Sequence, residues 1–317
     1  MPTNTVPSVA LVLGSILVPG SGLCLAIGVA RSRGWLTFAA ASLGCGFVAT
    51  ASISLLLALV GLLNLPALVI GWILLSGITW FTAIRSRAWR GYIEAWRRDV
   101  AADPWATITA AATVVAFAAV RWTYPPIANM GATAMRYWAD ALEIADHGGI
   151  PASTLQWGTL LRPATSKSAL NAFNGSMSLL SGQDPLPAMG ILLFIVSVGL
   201  VLVVMAVFTE LGIRRLAPIG ALFLFANQAL GSELTADLTR NLAENWGRLS
   251  AFTGMLLAVV LLSRATGGAE EDADGIPSGT AEIVLTGWVL GATAAIHLVA
   301  AAVGALFVGS YMLARIM

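Results

Sequence analysis

The run Pro187-Ala-Met-Gly-Ile-Leu-Leu-Phe-Ile-Val-Ser-Val-Gly-Leu-Val-Leu-Val-Val-Met-Ala-Val-Phe208 decides the fold class. It holds no charged side chain and exceeds the ~20 apolar residues that a helix needs to cross the hydrocarbon of a bilayer. Outward from it, comparable runs cover about 8–30, 35–63, 67–84, 105–121, 216–232, 247–263 and 282–312. The expectation is therefore an all-α, polytopic integral membrane protein with about eight transmembrane helices and a large outer loop of amphipathic helices.

Composition supports the same class. Of 317 residues, 58% are hydrophobic and only 10% are charged, with a mean hydropathy of +0.84. A soluble domain carries about 25% charged residues and could not cover its surface with so few. The net charge of +1 carries no signal of a nucleic-acid partner, and none is expected. Cys24 and Cys45 both fall inside apolar runs and have no His or Cys partner at ligand spacing, so they read as packing residues and no structural metal is expected.

Arginine placement gives the orientation. Arg31 and Arg33 follow the first run, Arg85, Arg87, Arg90, Arg97 and Arg98 the third, Arg214 and Arg215 the fifth, and Arg264 the seventh. With the N-terminus outside, all of these face the cytoplasmic side of the cytoplasmic membrane. The chain then divides into a three-helix membrane module at 1–104, a core at 105–265 with its outer loop at 122–185, a flexible acidic linker at 266–280 and a last transmembrane helix at 281–317. Between Ile84 and Pro104, Trp89, Tyr92, Ile93 and Trp96 recur at helical spacing among arginines. That pattern suits either a helix lying at the interface and drawn to anionic lipid, or an ordinary positive-inside loop with aromatic anchors.

Chemistry is sought on the outer side. Met135, Trp138, Leu142 and Ala145 form an apolar stripe beside a polar one of Arg136, Asp140, Glu143 and His147, and Gly148-Gly149-Ile-Pro151 stops the helix. The polar stripe offers Asp140 or Glu143 as a general base, or else a solvated face with an Arg136–Asp140 ion pair. His147 can act with them or cap the helix C-terminus. A second outer element carries Glu233, Asp237, Arg240 and Glu244 on one face, with Arg248 at the mouth of the seventh run. Arg240 and Arg248 pair with Glu244 or hold a phosphate, and Arg162 and Lys167 either clamp the same group or are isolated surface charges. Nucleotide-loop, zinc-protease and nucleophile-elbow patterns do not occur.

Several phrases resemble the polytopic GT-C glycosyltransferases: Tyr137-Trp138 with Ala141, Ile144 and Gly149-Ile150-Pro151; the stretch Ser168-Ala-Leu-Asn-Ala-Phe-Asn-Gly-Ser-Met, like the amphipathic lead into their next span; and Asn241-Leu-Ala-Glu244-Asn-Trp-Gly247. Val18-Pro19-Gly20 resembles large actinobacterial envelope proteins. The likeness covers about 105–260. It departs from the family at Gly131-Ala-Thr-Ala134, where the family's acid precedes the aromatic pair, whereas here Asp140 follows it. The resemblance implies transfer of a sugar from a polyprenyl-phosphate donor on the outer face, for cell-envelope glycan assembly. Asp140 or Glu143 would be the base, with Arg240, Arg248 or Arg162 on the phosphate, and with these cations or a divalent metal stabilising it as it departs. A non-catalytic scaffold or lipid-binding subunit working with partner membrane subunits is the second reading, and a transporter the third.

Overall fold

The computed structural model describes residues 5–27, 35–123, 132–150, 168–222 and 280–296, with short helical pieces between 253 and 261. Among the described residues all regular structure is helical. The helices are α1 (Thr5–Ile27), α2 (Trp35–Leu59), α3 (Leu65–Arg85), α4 (Ala88–Ala102), α5 (Pro104–Thr123), α6 (Ala132–His147), α7 (Ser168–Ser181), α8 (Pro185–Glu210) and α9 (Thr280–Ile296).

Of the eight expected spans, α1, α2, α3 and α8 are long and apolar enough to cross a membrane among the described residues. A fifth is reached if α4 and α5, which meet at 103°, count as one broken span. The runs at 216–232 and 247–263 and the acidic linker lie largely outside the described residues, as does the second half of the run at 282–312.

Three of these helices start by one device. Asn64, Asp103 and Asp184 each accept a backbone N–H of the following first turn, from Ala67 (2.9 Å), Ala106 (3.1 Å) and Leu186 (2.9 Å). A proline follows within two residues of each cap, where its missing N–H costs nothing. Asp103 thereby sets the corner between α4 and α5.

Pro19 lies inside α1 and withdraws the N–H that the Ser15 carbonyl would receive. Neighbouring helices supply replacements: Thr50 Oγ1 of α2 at 3.1 Å and Trp72 Nε1 of α3 at 2.8 Å. One turn on, Trp80 Nε1 donates to the Val18 carbonyl at 2.8 Å. In a bilayer no water can satisfy these groups, so the proline ties α1 to both neighbours. Close approach makes the contact possible. A Cβ at Gly20 would overlap the Ser42 carbonyl oxygen, and one at Gly46 the Ile16 carbonyl oxygen. Small residues at helix crossings are the usual means of association in membranes.

The main apolar core draws on α1, α2, α5, α7, α8, α9 and the pieces at 217–221 and 257–261. Its centre is α7, where every residue from Ala169 to Ser178 is buried. The family resemblance implied an amphipathic lead into the next span, and α7 does precede α8. Within the bundle, Phe173 meets Phe47 of α2 edge to face at 4.6 Å, Ser176 hydrogen-bonds Ser54 at 2.7 Å, and Met177 receives the Ser15 hydroxyl. Alanines and a glycine between the polar residues let neighbours close in from several directions. Spanning about 21 Å at 1.5 Å per residue, α7 is shorter than the hydrocarbon core.

The two ends of the bundle are closed differently. At one end the α2–α3 turn pairs with the C-terminus of α6: Leu63 N–H donates to Gly148 O (2.8 Å) and Ile150 N–H to Ala58 O (3.1 Å). Gly148 has φ +68°, and a Cβ there would lie 3.2 Å from the Leu63 carbonyl oxygen, so the position needs glycine twice over. At the arginine-rich end, Arg214 pairs with Asp99 and donates to Thr107 Oγ1 (2.8 Å), while Arg215 Nε donates to Asp103 Oδ2 (2.8 Å). The Arg215 bond, then the Ala106 N–H, holds the Asp103 carboxyl below the ordinary aspartate value of 3.8.

Candidate functional site

On α6 the packed line differs from the expected stripe. Ala141 and Ile144 are fully buried, whereas Trp138, Leu142 and Ala145 are only partly so. The reason is Gly175 of α7. A Cβ there would stand 3.0 Å from the Ala141 carbonyl oxygen and 3.6 Å from the Ala145 nitrogen. The glycine thus lets two backbones approach, and small residues rather than the largest apolar ones define the seam. Trp138 turns sideways and donates through Nε1 to Asp184 Oδ1 at 2.9 Å, joining α6 to the cap of α8.

This rotation carries Asp140 toward the interior. Its carboxylate is half-buried and its Oδ2 accepts Asn171 Nδ2 of α7 at 3.0 Å. Asn171 is 2% exposed, and Asn174, one turn later on the same helix, is fully buried. Asn171 Oδ1 and both polar atoms of the Asn174 amide have no hydrogen-bond partner. A buried amide left unmade costs about 1–3 kcal/mol per group, and native folds hold few such groups. Asp140 and Asn171 thus meet at the α6–α7 seam, and α7 carries amide groups that have hydrogen-bonding capacity in hand.

Two further residues of the polar stripe, Glu143 and His147, face outward. Glu143 is exposed. His147 is exposed as well, with Nδ1 2.9 Å from the Glu143 carbonyl oxygen, which can only accept, so the ring donates from Nδ1. That bond satisfies one of the last carbonyls of α6, the capping role. Arg136 belongs to α6, but its side chain lies outside the described residues, as do Arg162, Lys167, Asp237, Arg240, Glu244 and Arg248.

Sequence reasoning missed Asn171 and Asn174. The available signal was two asparagines one turn apart in a short helix, interleaved with the small residues Ala169, Ala172 and Gly175. That pattern marks close helix packing in a membrane rather than a solvated face.

Chemically, the seam presents carboxylate oxygens and the Asn171 amide oxygen, and the complete Asn174 amide follows one turn along α7. These match a ligand rich in hydroxyl or amide groups, which both donates and accepts. A hard divalent cation takes about six oxygen ligands, and Asp140 with Asn171 Oδ1 supplies too few. Among the described residues no three His, Cys, Asp or Glu side chains gather as a metal set.

Comparison with known proteins finds no matching family model, no matching curated protein and no matching solved structure. The functional reading therefore rests on the site's own chemistry.

Proposed function

We propose that this chain is a membrane glycosyltransferase-like protein that takes a polyprenyl-phosphate-linked sugar on the outer face of the cytoplasmic membrane, with Asp140 as its general base. The observation that carries this reading is the half-buried Asp140 carboxylate, oriented by Asn171 of α7, a helix whose buried amides have polar atoms that lack partners. Sugar hydroxyls would supply the missing hydrogen bonds. In the reaction an acceptor hydroxyl oxygen forms a bond to the sugar's anomeric carbon, the bond from that carbon to the phosphate oxygen breaks, and the proton passes to Asp140. The leaving phosphate would fall to Arg240, Arg248 or Arg162. Glu143 is a weaker candidate because it is exposed and lies away from the seam.

A second reading, a non-catalytic lipid-binding subunit, is favoured by one feature. The Asp140–Asn171 bond also works as a strut between α6 and α7.

Asp140→Asn distinguishes the two, because an asparagine oxygen still accepts from Asn171 and the strut survives. In proteoliposomes given a radiolabelled polyprenyl-phosphate sugar, the transferase reading expects transfer by the native chain and a loss of roughly 10²–10⁴-fold in the variant. Undiminished function of Asp140→Asn in cells, with no transfer by either protein, would establish the subunit reading.

A further inference from the structure

The opposite end of the bundle holds a second site, independent of the α6–α7 seam. Where α4 folds back under the ends of α1, α2 and α3, it borders an open apolar cavity of about 510 Å³. Leu25, Phe38, Trp80, Ile84, Trp89 and Tyr92 wall it. This volume lies within the ~300–1,000 Å³ typical of small-molecule sites. The walls are braced: Trp80 is held by its bond to the Val18 carbonyl, and the Phe38 and Tyr92 rings meet at 4.1 Å.

Charge surrounds this apolar space on one side. Arg85 follows the wall residue Ile84, and Arg90 places its guanidinium 5.4 Å from the ring centroid of the wall residue Trp89. Arg87 caps α4 from the left-handed region, with φ +55°. All three arginines are exposed. A glycine would adopt the conformation of Arg87 without strain, so the corner retains a cation where the backbone alone favours none. None of the three makes an ion pair with a described carboxylate, in contrast to Arg214 and Arg215 nearby.

An occupant must therefore be apolar along its length and anionic at one end. We propose that the cavity between α1, α2, α3 and α4 binds an anionic phospholipid of the adjoining leaflet, one acyl chain lying against the aromatic walls and the phosphate held by Arg85, Arg87 and Arg90. Trp89, under Arg90, sits at the boundary between the two parts, where amphipathic aromatic rings are favoured.

The test uses the full chain purified in mild detergent and read by native mass spectrometry, titrated separately with dioleoyl phosphatidylglycerol and dioleoyl phosphatidylcholine. One variant combines Arg85→Ala, Arg87→Gly and Arg90→Ala, the glycine preserving the corner. A second, Ile93→Trp, fills the cavity from its α4 wall. The native chain should retain a phosphatidylglycerol at concentrations where phosphatidylcholine is lost. The arginine variant should weaken that retention on the order of a hundredfold, at roughly fivefold per cation near a lipid surface, and Ile93→Trp should weaken it as well. Equal retention of the two lipids overturns the proposal, as does retention unchanged by the arginine variant. Loss in the arginine variant alone, with Ile93→Trp binding as the native chain does, overturns it too, since surface charge would then suffice without the cavity.

Discussion

Helices α3 and α7 exchange the places that a water-soluble fold would give them. The strongly apolar α3 lies at the periphery, with Ile70, Ile73, Leu74, Ile78 and Phe81 all exposed. The asparagine- and serine-containing α7 sits in the middle, and its central residues are buried without a break. Lipid tails are as apolar as leucine, so exposing α3 to them costs nothing. Association between helices instead depends on close packing and interhelical hydrogen bonds. Gly175, Ser176 and Asn171 provide both. Polarity in this fold therefore marks the interior, and the polar groups left without partners there mark the place to look for a ligand.

The strongest challenge to this comparison is Gly175→Leu. Its side chain would press on the Ala141 carbonyl and force α6 from α7, costing about 1–3 kcal/mol or more and separating Asp140 from Asn171. The thermal midpoint in detergent should fall well below that of the native chain, and an unchanged midpoint would mean that α7 is not the packed centre.

Asn174→Leu sharpens the point in the opposite direction. The native amide already lacks partners, so leucine, of similar volume, should leave the fold unharmed or stabilise it by up to about 1–3 kcal/mol. Sugar-lipid binding should be lost at the same time. A destabilised variant would show that the amide serves packing alone.

A smaller effect is expected at the arginine-rich end, where charges meet water in pairs. Because the Asp103 carboxyl is held below its ordinary value of 3.8, its pairing with Arg215 stabilises the corner above that pH and fails as pH falls through the depressed value. The difference in stability between the native chain and Asp103→Asn should hence be constant near neutrality and vanish only in strong acid. A difference that closes between pH 5 and 6 would reject this assignment.

The least effect belongs to α3. Ile78 is 65% exposed, and Ile78→Ala should alter stability in lipid by no more than about 0.5 kcal/mol. A loss comparable to that of Gly175→Leu would mean that the α3 face is covered by another helix rather than by lipid.

Much of the site was visible in the chain and part was not. Asp140 was selected for its place on a polar stripe of α6, but Glu143 and His147 shared that stripe equally. Periodicity assigns residues to a face without saying what the face meets. Only the approach of Gly175 turns Asp140 inward, leaves Glu143 outside and lets His147 close the helix on its own backbone. The proline in α1 was likewise plain in the sequence, whereas the donors that answer it, Thr50 and Trp72, come from two other helices.

By itself, then, the sequence determined the helical membrane class and the positions of α1, α2, α3 and α8. All of these follow from local composition and spacing, because a helix meets its own backbone needs within a few residues. Tertiary structure alone decided that α7 is central, that Asp140 faces Asn171, and that α4 borders an apolar cavity. Those outcomes depend on which backbones can touch, and in a bilayer that is governed by small residues far apart in the chain rather than by the hydrophobicity of any one segment.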